Sequence, residues 1–307
     1  MRIEKLLAAL ALLAAVIVLA RFSWRQLRDA DTVGPNIYMD DTIVYVSVSD
    51  PRVTLLRGVT ARDAADGDVT DTLVVESLSG FVAPDTRAVT VAAFDGGGNV
   101  SKATRSLVYT DYRPAVFSLT DAMRFPVGAT QQAILAAVGV TDAIDGDVSD
   151  RVTFSAGSVI NVDTAGDYRV TLEVSNSAGD TFTLPLTVTI YEPTAFNLAP
   201  KLYLTDYIVY TKAGEPVDPL DYLDHMTYKG VDYALTDGRG TFLVDTSDMT
   251  RDELTAFRAE EPALDVSLIG VVDMTNYNTP GVYEIRYSLA DGDGNLGRVT
   301  LTVVVEG

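Results

Sequence analysis

The sequence predicts an all-β protein of three tandem β-sandwich domains behind an N-terminal hydrophobic helix. A nine-residue phrase is written twice, as DAADGDVTD at 63–71 and as DAIDGDVSD at 142–150, 79 residues apart. The same offset links Pro35 to Pro114, and a third opening of similar type begins at Pro200. A fixed internal period indicates repeated structural units, so the chain divides into three domains.

The composition is that of folded domains that are stabilised without disulfides. Hydrophobic residues make up 47% of the 307 residues, which argues against disorder. Cysteine is absent, and its absence excludes disulfides, thiolate zinc sites and cysteine nucleophiles. Residues 31–307 hold 18 basic against 41 acidic residues. Because so acidic a body repels phosphate backbones and anionic lipid, we expect no nucleic-acid partner.

The N-terminus carries an apolar run of 15 residues, Leu6–Ala20, preceded by two basic residues. This length lies at the upper end for a signal-peptide core and just below that of a membrane span. Phe22 and Trp24 would extend a span as interfacial anchors. We therefore predict that residues 1–25 form an uncleaved signal anchor with its N-terminus inside, followed by a linker at 26–34. The alternative is a cleaved signal peptide, and both place the remaining chain outside the cytoplasm.

Residues 35–112 and 113–193 are predicted to be the first and second sandwich domains. In the segment after Gly166, alternate side chains are apolar, which gives a strand with one buried and one wet face, as in one sheet of a sandwich. Pro185 within a strand pattern predicts an edge strand or a bulge, and Gln131–Val138 fits a helical turn. Segments rich in β-branched and aromatic residues are the predicted strands: Ile43–Val48, Thr72–Leu78, Ala88–Phe94, Arg105–Thr110, Val152–Ser155, Tyr168–Ser175 and Phe182–Tyr191.

A second repeated turn separates the last two strands of every domain. Its copies lie at 95–99, 176–180 and 291–295, and each combines glycine with Asp or Asn, as a tight hairpin requires. The third copy identifies residues 200–307 as a related third domain, although that segment lacks the acidic phrase. Short strands with regular turns of this kind are typical of an immunoglobulin-like sandwich.

Together these features resemble the bacterial immunoglobulin-like repeats of cell-surface proteins, whose relatives occur in the hyalin-repeat group and beside some insecticidal crystal toxins. The resemblance is carried by Gly58-Val-Thr, by Asp66-Gly-Asp-Val-Thr and by the Asp-x-x-Gly-Asn turn. It covers residues 35–192 and the C-terminal half of 200–307. One departure is Arg87, where the other two domains begin a strand with Gly-x-Tyr. The resemblance implies sandwiches used in tandem as stalk, spacer or adhesion module, and it implies no catalytic residues.

Each copy of the acidic phrase places three carboxylates around a glycine. Calcium takes six to eight oxygen ligands, which clustered carboxylates and loop carbonyls can supply, although the spacing is not that of an EF-hand. A turn in which Asp accepts backbone N–H groups and Gly adopts a left-handed conformation explains the same residues. We favour the turn and keep calcium as the alternative, with these candidate ligands: Asp63, Asp66, Asp68, Asp142, Asp145 and Asp147.

The third domain is longer than the other two because of an insertion at about 227–264. A capping box, Thr250-Arg-Asp-Glu, predicts a helix over Arg251–Ala259, and strands resume at Asp265–Val272, Val282–Leu289 and Arg298–Glu306.

Nine of the fifteen tyrosines lie in the third domain. Tyrosine offers a large amphipathic contact area at low entropic cost, so a tyrosine-rich insertion could act as a binding tip. At least half of these tyrosines are expected to pack in the core instead. The candidate ligand-binding residues are Tyr222, Tyr228, Tyr233 and Tyr277.

Catalytic motifs are scarce. The single histidine, His225, has no marked serine with which to form a triad, and there is no Gly-x-Ser-x-Gly, phosphate loop or histidine pair. We therefore predict a non-enzymatic cell-surface stalk that binds a glycan, peptidoglycan or protein ligand through its third domain, with no cofactor except calcium in the alternative above. Two other functions stay open: a purely structural envelope spacer, and a carbohydrate-active accessory protein or enzyme.

Overall fold

The structure is a computed structural model that describes residues 12–21, 31–238, 243–244 and 246–307. Residues 12–21 are helical (α1) and their side chains are exposed. Among the described residues, no helix has both the length and the apolar character needed to cross a membrane. The remainder of the predicted anchor at 1–25, and most of the linker at 26–34, lie outside the described residues.

The chain forms two compact units, Met1–Tyr112 and Arg113–Gly307. The first unit holds one hydrophobic core, and the second holds two. Each core lies between two β-sheets, one of three or four strands and one of four strands. The protein is therefore mostly β, as the sequence predicts.

The described residues of the first unit form seven strands in two sheets. The three-stranded sheet has the order β1-β3-β4, and the four-stranded sheet has the order β2-β7-β6-β5, in which only β2 and β7 are parallel. The strands are β1 (Asn36–Met39), β2 (Ile43–Val46), β3 (Val59–Asp63), β4 (Gly67–Asp68), β5 (Val74–Ala83), β6 (Thr86–Phe94) and β7 (Val100–Tyr109).

The first half of the second unit repeats this arrangement. Its sheets have the orders β11-β10-β8 and β12-β13-β14-β9, again with one parallel pair, β9 and β14. The elements are β8 (Val116–Leu119), β9 (Arg124–Pro126), α2 (Gln131–Leu135), β10 (Val138–Asp142), β11 (Gly146–Asp147), β12 (Thr153–Phe154), β13 (Gly166–Ser175) and β14 (Thr181–Tyr191).

The second half of this unit has two four-stranded sheets, β15-β17-β18-β19 and β16-β22-β21-β20. The helix predicted from the capping box is confirmed with the same bounds, and both capping bonds are present. The elements are α3 (Pro193–Leu198), β15 (Lys201–Leu204), β16 (Ile208–Lys212), β17 (Leu223–Tyr228), β18 (Val231–Thr236), α4 (Arg251–Ala259), β19 (Ala263–Asp265), β20 (Gly270–Asp273), β21 (Gly281–Ala290) and β22 (Leu296–Glu306).

Strand β13 shows the predicted alternation, because Val170, Leu172 and Val174 are buried and the residues between them are not. Pro185 lies in β14 and pairs with β13 without a register shift. Its other neighbour, β9, pairs with β14 only over Thr189–Tyr191. At Pro185 the strand is therefore a sheet edge, where a missing N–H donor costs little.

A tyrosine hydroxyl is bonded to the backbone at the start of two equivalent strands. The Tyr168 hydroxyl donates to the carbonyl of Thr164 at 2.9 Å, and the Tyr283 hydroxyl donates to the carbonyl of Thr279 at 3.0 Å. A tyrosine that reaches back to the backbone in this way is the corner motif of immunoglobulin-like sandwiches. In the first unit, the buried Arg87 takes the place of tyrosine and reaches the backbone through its guanidinium.

The two cores of the second unit are joined by direct contacts. The Tyr210 hydroxyl accepts the N–H of Phe117 at 2.8 Å, and the Thr187 hydroxyl donates to Glu284 at 2.5 Å. Ile208 packs against the core of the preceding half. Residues 113–307 therefore behave as one body with two cores.

Candidate functional site

The acidic phrase folds into a hydrogen-bonded turn. Asp63 Oδ1 accepts the N–H groups of Ala65 at 2.7 Å and of Asp66 at 3.0 Å. Gly67 follows with φ +80°, a left-handed conformation that suits glycine. The two backbone donors favour the ionised carboxylate and hold the pKa of Asp63 below its usual value. Asp142 accepts the equivalent N–H groups in the second copy.

The last aspartate of the phrase caps the turn that follows. Asp68 Oδ1 accepts the N–H of Thr70 at 3.0 Å, and Asp147 Oδ1 accepts the N–H of Ser149 at the same distance. Hydrogen bonds from the hydroxyl and N–H of Thr70 lower the pKa of Asp68, and those from Ser149 lower the pKa of Asp147. Both carboxylates face solvent.

The middle aspartate joins the two repeated turns in the first and in the second domain. Asp66 Oδ2 accepts the N–H of Gly96, and Asp145 Oδ2 accepts the N–H of Ser177, each at 2.7 Å. Arg151 also donates to Asp145. Burial opposes ionisation of Asp145, but the bonds from Ser177 and Arg151 outweigh it and lower its pKa. The acidic phrase therefore fastens one turn onto the other.

The two copies differ in what surrounds their first aspartate. In the second copy, the amide of Asn176 donates to Asp142 at 3.1 Å. The first copy has Asp95 at the place of Asn176 and lacks that donor. There the carboxylates of Asp31, Asp63 and Asp66 bring oxygens within 4.8 Å of one another.

Calcium binding stays a prediction for Asp63, Asp66 and Asp68 in the first copy and for Asp142, Asp145 and Asp147 in the second. In the second copy a cation would compete with the donors already in place. Sequence reasoning missed Asp31, because it precedes the repeated unit and no spacing pattern includes it.

The four candidate tyrosines divide into two pairs. Tyr228 and Tyr233 are 4% and 0% exposed, and burial raises the pKa of both hydroxyls. The Tyr228 hydroxyl donates to Asp291 at 3.0 Å. Their rings offer no surface to a macromolecular ligand, because the hairpin β17–β18 of the insertion joins the sheet of the sandwich. Tyr222 and Tyr277 are partly exposed, and for them ligand binding stays a prediction.

A cleft of about 610 Å³ lies between the two halves of residues 113–307. Arg124, Thr189 and Tyr191 line it from one half, Arg298 and Thr300 line it from the other, and α3 contributes further atoms. Ligand sites are commonly clefts of this size with an apolar lining and a few polar groups. Because the lining residues are far apart along the chain, no local motif in the sequence predicts the cleft.

Aromatic rings and one guanidinium lie close together at one side of the cleft. The rings of Tyr191 and Phe196 are stacked with centroids 4.0 Å apart. The Arg124 guanidinium lies 5.2 Å from the centroid of Phe196 and 5.3 Å from that of Tyr203. Cation–π contacts of this length hold an arginine side chain in place without neutralising it.

The arginines of the cleft have different partners. Arg124 donates to the carbonyls of Arg298 at 3.4 Å and of Leu202 at 3.3 Å, whereas Arg286 forms an ion pair with Glu284 at 2.7 Å. The exposed Arg298 side chain has no carboxylate partner among the residues that the structure describes.

The single histidine contacts a neighbouring aspartate and a tyrosine ring. His225 Nδ1 lies 2.8 Å from Asp224 Oδ2, and its ring stacks on Tyr203 with centroids 4.4 Å apart. Within the described ranges, no hydroxyl nucleophile is bonded to the imidazole. That the protein is not an enzyme stays a prediction.

Comparison with known proteins gives weak similarities. No family model matches the chain, and no curated protein matches it. Among solved structures, the second CBM51 domain with GlcNAc and INT domains of Clostridium perfringens ZmpB is 15% identical over 56% of this chain and 29% of that chain, with a TM-score of 0.21. The protocadherin GammaB4 extracellular domain is 13% identical over 89% of this chain and 49% of that one, with a TM-score of 0.18.

A lipoprotein from Bacteroides thetaiotaomicron is 14% identical over 62% of this chain and 98% of its own, with a TM-score of 0.22. The chain thus spans less than half of the length of the first two structures. At these TM-scores the similarities carry no conclusion about ligand or activity.

Proposed function

We propose that this protein is a non-enzymatic binding protein of the cell exterior, built as three tandem immunoglobulin-like sandwiches. The first sandwich, residues 35–112, serves as a spacer. The second and third, 113–193 and 200–307, form the ligand-binding part. The protein is exported and held at the membrane, or released from it, through its hydrophobic N-terminal segment.

The observation that carries this proposal is the cleft shared by the second and third sandwiches. A pure spacer has no need of a concave site, whereas this cleft combines aromatic rings, hydroxyls and guanidinium groups. Such a mixture provides apolar contact together with a few orienting polar groups, as ligand sites do. The partner is a cell-surface glycan, peptidoglycan or a protein. The site therefore lies at the joint between the second and third sandwiches rather than at the tip of the insertion in the third domain.

Retention of the full chain on immobilised cell wall, purified glycans and extracellular matrix protein tests this function. Thr189→Trp fills the cleft from β14, and Thr183→Trp is its matched control, because Thr183 is exposed on the same face of the same strand and does not line the cleft. We expect wild type and Thr183→Trp to be retained on one surface and Thr189→Trp to be lost.

Three results would contradict the proposal. Equal retention of wild type and both variants would mean that the binding site lies outside the cleft. Retention of none would favour the envelope spacer. Release of new reducing ends from a retained glycan would instead indicate the carbohydrate-active alternative.

A further inference from the structure

We infer that the cleft binds a saccharide that carries a carboxylate. This inference rests on the proposed function and names the ligand class of the same site. Three properties of the cleft carry it: a lining without the acidic excess of the whole protein; a guanidinium without an ion pair to a carboxylate within the described part of the chain; and walls that combine aromatic rings with hydroxyls.

The charge of the cleft departs from that of the protein. The chain has a formal net charge of −20, yet three arginines line the cleft against two carboxylates, those of Asp167 and Glu192. Arg286 is already paired with Glu284. Two guanidinium groups, those of Arg124 and Arg298, therefore face the cleft without an ion pair to a carboxylate among the described residues. A bound anion would supply the missing partner.

Arg124 is positioned in advance for such a ligand. Two aromatic rings and two backbone carbonyls contact its guanidinium, and both hydrogen bonds are long, at 3.3 and 3.4 Å. A guanidinium has five N–H donors in a planar fork, so donors remain for a carboxylate. The Arg298 carbonyl accepts one of the two bonds, which places the backbone of the second free arginine beside the first. A carboxylate between them would form charge-assisted hydrogen bonds.

The remaining lining favours a sugar over a peptide or an inorganic anion. A pyranose presents C–H groups on one face, which pack on an aromatic ring such as that of Tyr191, and it presents hydroxyls at its rim. The cleft offers hydroxyl partners at Thr189 and Thr300, and the carboxylate of Asp167 already accepts the Thr189 hydroxyl at 2.7 Å. A volume of about 610 Å³ is suited to one or two sugar rings.

The carboxylate could belong to a uronic acid or to a sialic acid, and the experiment separates these sources. Calorimetric titration of the full chain uses a hyaluronan tetrasaccharide, sialyllactose, neutral chitotetraose and a tetraglutamate peptide. We expect one acidic saccharide to bind about tenfold or more tightly than chitotetraose, with affinity that falls as salt rises. Tetraglutamate should bind weakly, because it has no pyranose face.

Arg298→Gln tests the role of the free guanidinium. Arg298 is exposed and its side chain makes no hydrogen bond in the part of the chain that the structure describes, so the variant should keep the wild-type melting temperature. We expect its affinity for the acidic saccharide to fall about tenfold or more. Arg169→Gln makes the same charge change at an exposed residue outside the cleft and should leave the affinity unchanged.

The inference is overturned if chitotetraose binds as tightly as the acidic sugars, if tetraglutamate binds more tightly than any of them, or if Arg298→Gln matches wild type. It is also overturned if no saccharide binds. If the chain is still retained on a surface and Thr189→Trp abolishes that retention, the proposed function stands and only the ligand class is wrong. If wild type is retained nowhere, both fail.

Discussion

At the scale of single residues, aspartate carboxylates hold the repeated turns in shape. Asp63 and Asp68 accept backbone N–H groups, and Asp147 does the same in the second copy. These donors lower the three pKa values relative to the unfolded chain, where a free Asp titrates near 3.9. A depressed pKa in the folded state contributes stability above the unfolded pKa, and that stability is lost as pH falls through the folded pKa.

We therefore predict a melting temperature that changes little between about pH 7 and pH 5 and falls steeply below about pH 4. Asp63→Asn keeps the shape and one acceptor but cannot titrate. This substitution should lower the melting temperature at neutral pH. It should also reduce the further decrease of the melting temperature in acid. Asp232→Asn is the control, because Asp232 is exposed and accepts no hydrogen bond among the described residues. Identical acid profiles for the two variants would contradict the assigned role of Asp63.

Residue chemistry could be predicted from the sequence where it is local. Asp and Gly spacing indicated the turn of the acidic phrase, and Asp63 and Gly67 occupy it as that interpretation requires. The docking of Asp66 onto Gly96 could not be predicted, because it depends on two turns meeting across 30 residues of chain. The burial of Tyr233 was likewise hidden, since it follows from the pairing of β18 within a sheet.

At the scale of elements, the hairpin turn before the last strand is the most regular feature of the fold. In all three copies the first residue bonds through its backbone N–H to the fifth, as from Asp291 to Asn295 at 3.1 Å. The fourth residue is a glycine with positive φ, and it is Gly294, at +85°, in the third copy. Asp291 also accepts the N–H of Asn295 at 2.8 Å through its side chain. These bonds fix the register of β21 and β22.

Gly294→Ala should destabilise the protein by about 1–2 kcal/mol, because an L-residue pays that cost in the left-handed region. Gly292→Ala is a matched control in the same turn. Neither added methyl group meets an atom within 4 Å, but Gly292 does not have a positive φ. Chemical denaturation should show a lower midpoint for the first variant only. Equal midpoints would mean that the turn relaxes to accept alanine.

The acidic turn gives a second prediction at this scale. Because backbone and side-chain donors already bond to Asp142 and Asp145, we expect the melting temperature of the full chain to be the same in millimolar calcium and in chelator. A higher melting temperature in calcium than in chelator would contradict the turn interpretation. Asp31→Asn would then show whether the first copy is responsible, since Asp31 lies beside Asp63, whereas no such group of three carboxylates is found around Asp142 in the part of the chain that the structure describes.

At the scale of the whole molecule, the repeat predicted from the sequence matches a sheet order that recurs along the chain. The cleft could not be predicted from the repeat. The period indicates which strands belong to the same sandwich, because each repeat contains its own turn motifs and its own alternation of apolar and polar residues. Contacts between the two halves of residues 113–307, such as that of Tyr210 with Phe117, involve side chains that the repeat does not specify. The site formed at such a joint is therefore visible only in the folded chain.

The joint predicts that the two cores of residues 113–307 open together. Ile208 and Val304, from the last half, pack against the core of the first half, so loss of either core exposes apolar surface of the other. In native-state hydrogen exchange, the slowest amides of β13 and β22 should show the same opening free energy. Ile208→Asn places an amide in this partly buried contact and should make the two strands open separately, whereas Ile43→Asn, on an exposed face of β2, should not. Independent opening of β13 and β22 in wild type would instead mean that the cleft is not preformed. A ligand would then have to bring the two walls of the cleft together, which would lower its affinity.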